Sequence, residues 1–374
     1  MQELIFLAHL AYASRRAFVF DPYTWNRNMN ENFTTYNNKL IPSRIPLNAI
    51  IAGPAAGAPF YADHLSPRAV NKEYFDTVCK TPKLLTGEDV PDAVWSGDGE
   101  FIMRHWVEKL NTTPDRCILL DGPHSQIFPY YIYGVKSLID TWPWLSKSPI
   151  LTEWRWSPLV ETAVHANSAL IMPPKPLSRR PGDIIMDDEF PNMYAPMPGL
   201  LAMHVRRGDF VGHCDHLAKW GSVWQGWNSF PEFIDKFEAP PGSGNGEIEA
   251  TPEARDIYRA RCFPDHEQIL AKVAEIRQTP EGHGLCSIFV MTNAEPEWAN
   301  ELKTKLMAMG GWDNVVTSRD LRLTWEQKFV GHAIDMLIGQ RAQMFIGNGW
   351  SSMSANIVLL RQSKKLDPRT NRFW

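Results

Sequence analysis

Short, continuous apolar runs alternate with longer amphipathic stretches along the second half of the chain. Strands are predicted at 200–205, 287–291, 314–316 and 344–346, and helices at 252–278, 325–340 and 351–361. Strands that are apolar throughout are typical of a parallel sheet covered by helices on both faces. Ligands bind such sheets beyond the carboxyl ends of the strands. The pattern therefore predicts an α/β fold and points to the residues that directly follow the strands.

The first half of the chain has a weaker pattern. Apolar residues at helical spacing predict a helix at 2–16, followed by a strand at 17–20. Seven prolines lie between 172 and 198, and they exclude a long helix or a central strand there. Because 374 residues exceed one ordinary core, we expect two domains, 1–190 and 199–374, joined through this proline-rich stretch.

The composition narrows the class of protein. Hydrophobic residues make up 44% of the chain, which suits a large core and excludes general disorder. A formal net charge of -4 disfavours a nucleic-acid partner, and no apolar run reaches the ~18–20 residues of a membrane span. The first apolar stretch has no basic residues before it, unlike a signal peptide. The five cysteines contain no Cys-x-x-Cys pair, and their odd number leaves at least one as a thiol or paired outside the chain.

The sequence HVRRGDF, residues 204–210, follows the first predicted strand of the second half. Guanidinium groups bind phosphate oxygens in forked pairs, so Arg206 and Arg207 could hold an anionic ligand at the end of the strand. The alternative is a solvated surface pair that Asp209 partly neutralises. The tripeptide Arg-Gly-Asp is also an adhesion motif, but chance matches to it are common.

A second glycine-containing turn, FIGNGWSS, follows the strand at 344–346. Gly347 and Gly349 allow close approach of the backbone to a ligand and positive φ angles. Ser351 or Ser352 would cap the next helix, and the start of that helix favours a phosphate through its N–H groups and dipole. The alternative is an ordinary strand–turn–helix with a serine cap. No lysine follows the second glycine, so the turn is not a Walker loop.

Two further groups have open interpretations. Asp335 lies between apolar neighbours on the predicted helix before FIGNGW. It is either a half-buried structural carboxylate or a group that accepts hydrogen bonds from a nucleobase. The loop GHCDH at 212–216 contains metal-ligand residue types, but neighbours in a short loop rarely converge on one ion. The sequence has no Asp-x-Asp motif of the kind that holds a metal ion, so no metal ion is expected, and no other cofactor is indicated.

Together these stretches resemble the GDP-fucose protein O-fucosyltransferases and, more loosely, their α1,6- and bacterial fucosyltransferase relatives. The resemblance rests on His-x-Arg-Arg-x-Asp-Phe at 204–210, on a strand ending in Thr-Asn, and on AIDMLIGQRAQMFIGNGWSSMSANIVLLR at 333–361. It implies that Arg206 holds the β-phosphate and assists the departure of GDP, and that Asp335 reads the guanine. It also implies a nucleotide site lined by His204 and Asp209, with Ser351 and Ser352 on the phosphate oxygens.

The resemblance further implies a GT-B fold, with two Rossmann-like domains facing a cleft and a metal-independent site for GDP-fucose. Residues 1–190 would lie on the acceptor side. Residues 199–374 would bind the nucleotide sugar, with a tail that could cross back. The expected activity is inverting transfer of L-fucose to a hydroxyl, of Ser or Thr in a protein or, alternatively, of a glycan. Another alternative is an inactive GDP-sugar-binding module.

The family carries a Gly- and Asn-containing loop just before its first helix, whereas this sequence begins at that helix. We therefore expect the preceding strand and loop to be missing from this chain. For a full-length form, the resemblance implies the lumen of the endoplasmic reticulum or Golgi.

Overall fold

The computed structural model describes residues 1–26, 28, 30–36, 39–94, 96–172, 194–208 and 210–374. The chain divides into two compact units: unit 1 comprises Met1–Pro158 and Trp224–Phe230, and unit 2 comprises Leu159–Val223 and Pro231–Trp374. Most of the predicted connection at 172–198 lies outside the described residues, and the predicted domain boundaries stay predictions.

Unit 1 contains short elements around an aromatic core. They are α1 (Gln2–Ala13), β1 (Val19–Phe20), β2 (Tyr23–Thr24), β3 (Phe33–Tyr36), β4 (Lys39–Pro42), β5 (Arg44–Ile45), β6 (Val70–Asn71), α2 (Lys72–Val78), β7 (Lys83–Leu85), α3 (Pro91–Val94), α4 (Gly99–Thr112), β8 (Ile118–Leu120), α5 (Trp142–Leu145) and α6 (Pro149–Thr152). Within the described residues the strands pair two by two, β1 with β6, β2 with β5, β3 with β4 and β7 with β8. Phe6 of α1 is fully buried, and its ring packs edge-to-face with the ring of Phe128, with 5.1 Å between the ring centroids.

The first helix and strand are both shorter than the apolar pattern predicts. Helix α1 ends at Ala13, and Arg15 has a φ of 53°, so the chain leaves the helical conformation there. Strand β1 then includes only Val19 and Phe20, which pair in parallel with Val70 and Asn71. A disulfide between Cys79 and Cys117 crosses unit 1, a pairing that the sequence pattern did not assign.

The described residues of unit 2 form one parallel sheet of five strands in the order β11-β10-β9-β12-β13. Its elements are α7 (Pro158–Ala166), α8 (Ser168–Ile171), β9 (Met197–Val205), α9 (Phe210–Lys219), α10 (Pro252–Cys262), α11 (His266–Arg277), β10 (Ser287–Thr292), α12 (Pro296–Ala308), β11 (Asn314–Thr317), α13 (Gly331–Arg341), β12 (Ala342–Gly347), α14 (Ser352–Ser363) and β13 (Asn371–Phe373). The prediction of a parallel sheet in an α/β fold is therefore confirmed.

The predicted helix at 252–278 is wrong, because the chain forms two helices there. Pro264 interrupts the run, since proline cannot continue a helix. Asp265 then caps α11 and forms a reciprocal capping box with Gln268. The predicted helix at 325–340 begins with a short 3-10 turn at Gln327–Val330 and becomes α-helical only at Gly331.

The alternation of β9 decides which side chains can reach the site. Leu201, Met203 and Val205 belong to the core that packs against α11 and α12. Because successive residues of a strand point to opposite faces, the side chain of His204 points to the other face. There it meets Ser354 of α14.

Candidate functional site

The carboxyl ends of four strands lie at one edge of the unit 2 sheet. Met203 of β9 is in register with Val290 of β10 and Ile346 of β12, and Val290 is in register with Thr317 of β11. Because the strands are parallel, the residues that follow these four meet at the same edge. The edge carries Arg206, Arg207 and Gly208 after β9, Ser318 after β11 and the GNGW turn at the end of β12.

His204 occupies the end of β9 as a buried neutral imidazole. Its side chain is 3% exposed, and its Nδ1 lies 3.0 Å from the hydroxyl of Ser354. Burial, and secondarily the positive charge of Arg206, lowers the pKa of His204 to about 3. The imidazole therefore carries no charge at neutral pH.

The turn after β12 is held by hydrogen bonds from its own polar side chains. The backbone N–H of Asn348 donates to Ser354 Oγ at 2.9 Å, and the side-chain amide of Asn348 donates to the carbonyl of Cys262 at 2.7 Å. Gly347 does not take the expected positive φ. Its backbone lies in a tightly packed place instead, since a Cβ there would lie 3.1 Å from atoms of Phe345, Phe373 and Ser354.

Helix α14 begins directly after this turn. The hydroxyl of Ser351 accepts a hydrogen bond from the N–H of Met353 at 3.2 Å, so the predicted serine cap is confirmed. Ser352 is the first helical residue and its side chain is exposed. The start of α14 therefore presents backbone N–H groups and the positive end of the helix dipole at the edge of the sheet.

Arg206 and Arg207 lie in different environments. Arg206 is partly exposed beyond the end of β9, and its guanidinium carbon lies 5.1 Å from the centre of the Phe210 ring. Arg207 is buried, and its guanidinium lies between the rings of Phe263 and Trp298 at 4.1 and 4.0 Å. The two side chains thus diverge directly after the strand.

The guanidinium of Arg207 also donates to backbone carbonyls, those of Phe263 at 3.4 Å and of Pro264 at closer range. Burial lowers the pKa of Arg207 to about 10. The expected phosphate contact of Arg207 is not favoured by this geometry, because its guanidinium is occupied by rings and carbonyls of its own chain. Asp209 lies outside the described residues.

Asp335 is half-buried on α13, and its Oδ2 accepts a hydrogen bond from the hydroxyl of Ser318 at 2.8 Å. Ser318 directly follows β11, and its N–H donates to the carbonyl of Val290 in β10. Asp335 is therefore located beside the carboxyl ends of β10 and β11. This is the edge on which His204 and the GNGW turn also lie.

Residues that were not singled out from the sequence hold the backbone around Arg206. Asn293 directly follows β10, and its side-chain oxygen accepts from the N–H of Arg207 at 2.8 Å while its amide donates to the carbonyl of Arg207 at 2.9 Å. Gly208 has a φ of 65°, a backbone conformation that residues other than glycine rarely adopt. The Thr-Asn pair at the end of β10 could be recognised in the sequence, but the sequence did not indicate that Asn293 binds the backbone of Arg207.

The GHCDH residues at 212–216 lie on helix α9 and not in the predicted loop, and two of them have partners elsewhere in unit 2. Cys214 forms a disulfide with Cys262, which joins α9 to α10. Asp215 accepts a forked pair of hydrogen bonds from Arg259 at 2.8 and 3.0 Å. No group of three His, Cys, Asp or Glu residues able to hold a metal ion occurs in the described part of the chain. Across the same residues, none of the helices is both long enough and apolar enough to span a membrane.

The fold and this edge define a mixed α/β protein with a central parallel sheet and polar groups at the carboxyl ends of its strands. No family model matches the sequence, and no curated protein matches it. Among solved structures, the chain is similar to POFUT1 in complex with GDP, with a TM-score of 0.51 and 15% identity over 100% of this chain and 93% of that chain. It is equally similar to POFUT1 in complex with GDP-fucose, with a TM-score of 0.51 and 15% identity over 99% of this chain and 93% of that chain.

At 15% identity this likeness shows the fold alone. POFUT1 is a GDP-fucose protein O-fucosyltransferase, and the likeness confirms the mixed α/β fold with a central parallel sheet that the sequence resemblance implied. The arrangement of two Rossmann-like domains facing a cleft stays a prediction.

Proposed function

We propose that this protein is an inverting fucosyltransferase that moves L-fucose from GDP-fucose to the hydroxyl of Ser or Thr in a protein. The observation that carries the proposal is the joint location of Arg206, the start of α14 and Asp335 at one edge of a parallel sheet. The similarity in fold to POFUT1, whose complexes contain GDP and GDP-fucose, supports the choice of donor.

The dimensions of the edge suit a nucleoside diphosphate. Ser318 and Asp335 belong to the β11 end, and α14 begins at the β12 end, three strand spacings or roughly 14 Å away. In the proposed complex the guanine lies toward Asp335 and the diphosphate toward α14. A carboxylate can accept two N–H bonds from the edge of guanine, which gives Asp335 a reason to prefer this base.

The phosphates would meet the start of α14 and the side chain of Arg206. Backbone N–H groups at the beginning of a helix and the helix dipole stabilise anions. Ser352, with its exposed side chain, adds a hydroxyl donor at that position, while Ser351 keeps the helix start in place as its cap. Donor binding of this kind needs no metal ion, because the positive charge comes from the chain itself.

Arg206 is the proposed catalytic residue. In inverting transfer the acceptor oxygen attacks C1 of fucose while the bond from C1 to the β-phosphate oxygen breaks, and GDP leaves with the electron pair. The acceptor hydroxyl gives its proton to a base. Negative charge grows on the leaving oxygen, so a fixed guanidinium stabilises the transition state more than the bound donor.

The protein acceptor and the compartment are supported by separate observations. The acceptor class follows from the resemblance to protein O-fucosyltransferases. Disulfides persist in oxidising compartments, so the bridges Cys79–Cys117 and Cys214–Cys262 support a secretory location. We extend the proposal to two Rossmann-like domains that face a cleft, as the GT-B class has them.

Calorimetric titration tests the donor assignment. GDP and GDP-fucose should bind more tightly than UDP, GDP-mannose serves to test the sugar, and EDTA should leave GDP binding unchanged. A second assay offers GDP-fucose together with either a folded protein domain rich in Ser and Thr or a free glycan, and it measures GDP release and fucose transfer. Equal affinity for GDP and UDP would refute the donor assignment. Transfer to the glycan alone would refute the protein acceptor, and binding without transfer or hydrolysis would refute an enzyme.

A further inference from the structure

The last strand, β13, lies at the sheet edge beside β12 and is held by side chains along its length. Asn371 Oδ1 accepts from Nε of Arg361 at 2.7 Å. Asp235 accepts from Nε of Arg372 at 2.7 Å and from the backbone N–H of Phe373 at 2.8 Å. Lys272 also donates to Asp235, at 2.8 Å. Asp235, Lys272 and Arg372, together with Glu275, are called the Asp235 network below.

The residue that follows β13 reaches across to β9. The indole of Trp374 is 5% exposed and belongs to the core cluster that includes Met203 and Ile346. Pairing between β9 and β12 ends at Met203 and Ile346. One residue later, the carbonyl of His204 accepts a hydrogen bond from Nε1 of Trp374 at 2.9 Å.

This bond lies two residues before Arg206, and a second support lies one residue after it. The carbonyl of His204 is held by Trp374, and both backbone groups of Arg207 are held by Asn293. The backbone of Arg206 is therefore fixed from both sides, while its side chain stays partly exposed. A small displacement of a catalytic group can lower a rate by orders of magnitude, so these two supports bear on catalysis.

We propose that Trp374 is a positioning residue that sets the direction of the Arg206 side chain through the carbonyl of His204, and that the Asp235 network keeps Trp374 in place. The inference rests on the proposed function, because it gives Arg206 its role in transfer. It assigns a role in the site to Trp374, which lies 170 positions from His204 in sequence and is brought next to it by the order of the strands.

The test compares Trp374→Phe with Trp312→Phe. Both tryptophans belong to the same core cluster and are nearly equally buried, at 5% and 6% exposure. The indole N–H of Trp312 has no hydrogen-bond partner among the described residues, and Trp312 precedes β11 at the opposite edge of the sheet. The two variants therefore lose the same ring volume, but only Trp374→Phe loses the bond to His204.

We expect Trp374→Phe to lower kcat about tenfold, the equivalent of one net hydrogen bond lost in the transition state, with KM for GDP-fucose changed less than about threefold. Trp312→Phe should keep kcat. Hydrogen exchange of the backbone amides at 205–208 should become faster in Trp374→Phe and stay unchanged in Trp312→Phe. Asp235→Asn should reproduce both effects, and it should add little further loss of kcat to Trp374→Phe.

Equal kcat and equal exchange at 205–208 in the two tryptophan variants would overturn the inference. A fall in melting temperature for Trp374→Phe with unchanged kcat would also overturn it, since the role would then be structural. If the wild-type protein neither binds GDP nor transfers fucose, the proposed function fails. The exchange measurement still decides whether Trp374 holds the backbone of Arg206.

Discussion

His204 Nδ1 and Ser354 Oγ lie 3.0 Å apart, so the end of β9 and the first turn of α14 share a hydrogen bond. The same hydroxyl accepts the N–H of Asn348 at 2.9 Å, which adds the turn after β12 to the contact. Ser354 is fully buried and His204 nearly so. One serine therefore connects the two sequence motifs from which a nucleotide site was inferred.

Replacing Ser354 with alanine should weaken both stability and GDP binding. The change leaves the imidazole of His204 and the N–H of Asn348 without their shared partner in a buried place, which costs about 1–3 kcal/mol of unfolding free energy. Ser363→Ala is the matched control, because Ser363 lies at the far end of α14 and its hydroxyl donates to the carbonyl of Leu360 in the same helix. Thermal melting and GDP titration of both variants check the prediction. Equal losses in the two would show that the contact does not link the motifs.

The pKa of His204, lowered by burial to about 3, predicts a loss of stability in mild acid. A histidine with a lowered pKa in the folded state contributes stability that is present above the unfolded pKa of ~6.5. That stability is lost as the pH falls toward 3, because the unfolded chain binds the proton more readily. The free energy of unfolding should thus fall on acidification, by up to about 1.4 kcal/mol per pH unit from this group.

Burial also lowers the pKa of His9 and of His332 to about 4. In the wild type these two histidines therefore contribute, together with His204, to the slope of the unfolding free energy against pH. In His204→Asn the slope of the unfolding free energy against pH should decrease by the equivalent of about one proton between roughly pH 5 and 6.5. Denaturant unfolding measured across this range checks it, with the exposed His216→Asn as the control. A slope that is the same in His204→Asn and in the wild type would contradict the neutral, buried histidine.

The sheet and the two motifs were predictable because their signals are local. Continuous apolar runs mark β9 and β12, and Ser351 stands at the cap position of α14. The break at Pro264 was also visible, since Asp265 and Gln268 have the spacing of a capping box. The contacts of Ser318 with Asp335 and of Trp374 with His204 were not predictable. They depend on which strands are neighbours, and the order β11-β10-β9-β12-β13 is not encoded in any one segment.

Asp335 should discriminate between bases. Asp335→Asn should weaken GDP binding by about 10- to 100-fold, the equivalent of the roughly 1.5–3 kcal/mol of a hydrogen bond to a charged group. Binding of UDP, which is already weak, should change little. Asp313→Asn is the control, because Asp313 is exposed and directly precedes β11, whereas Asp335 contacts Ser318 at the other end of that strand. Calorimetry with both nucleotides checks it, and equal losses for GDP and UDP would assign Asp335 a structural role.

Substitutions of the two neighbouring arginines should change different properties, the transfer rate for Arg206 and the melting temperature for Arg207. Arg206→Ala should lower the transfer rate at least ~100-fold, as for loss of one preorganised donor, while the protein melts normally. Arg206→Lys should restore little, because one ammonium cannot fork across two phosphate oxygens. Arg207→Ala should instead lower the melting temperature, since the guanidinium stacked between Phe263 and Trp298 is lost together with its bonds to backbone carbonyls.

Melting curves and single-turnover transfer rates of the three variants distinguish the two roles. The side chain of Arg206 contacts Phe210 at 5.1 Å and is partly exposed, so its removal leaves no buried cavity. The side chain of Arg207 is buried, so its removal does. If Arg206→Ala keeps near wild-type transfer, Arg206 is not the catalytic residue. If Arg206→Ala cannot fold while Arg207→Ala melts normally and loses its transfer rate, the roles are exchanged and the phosphate site must be rebuilt around Arg207.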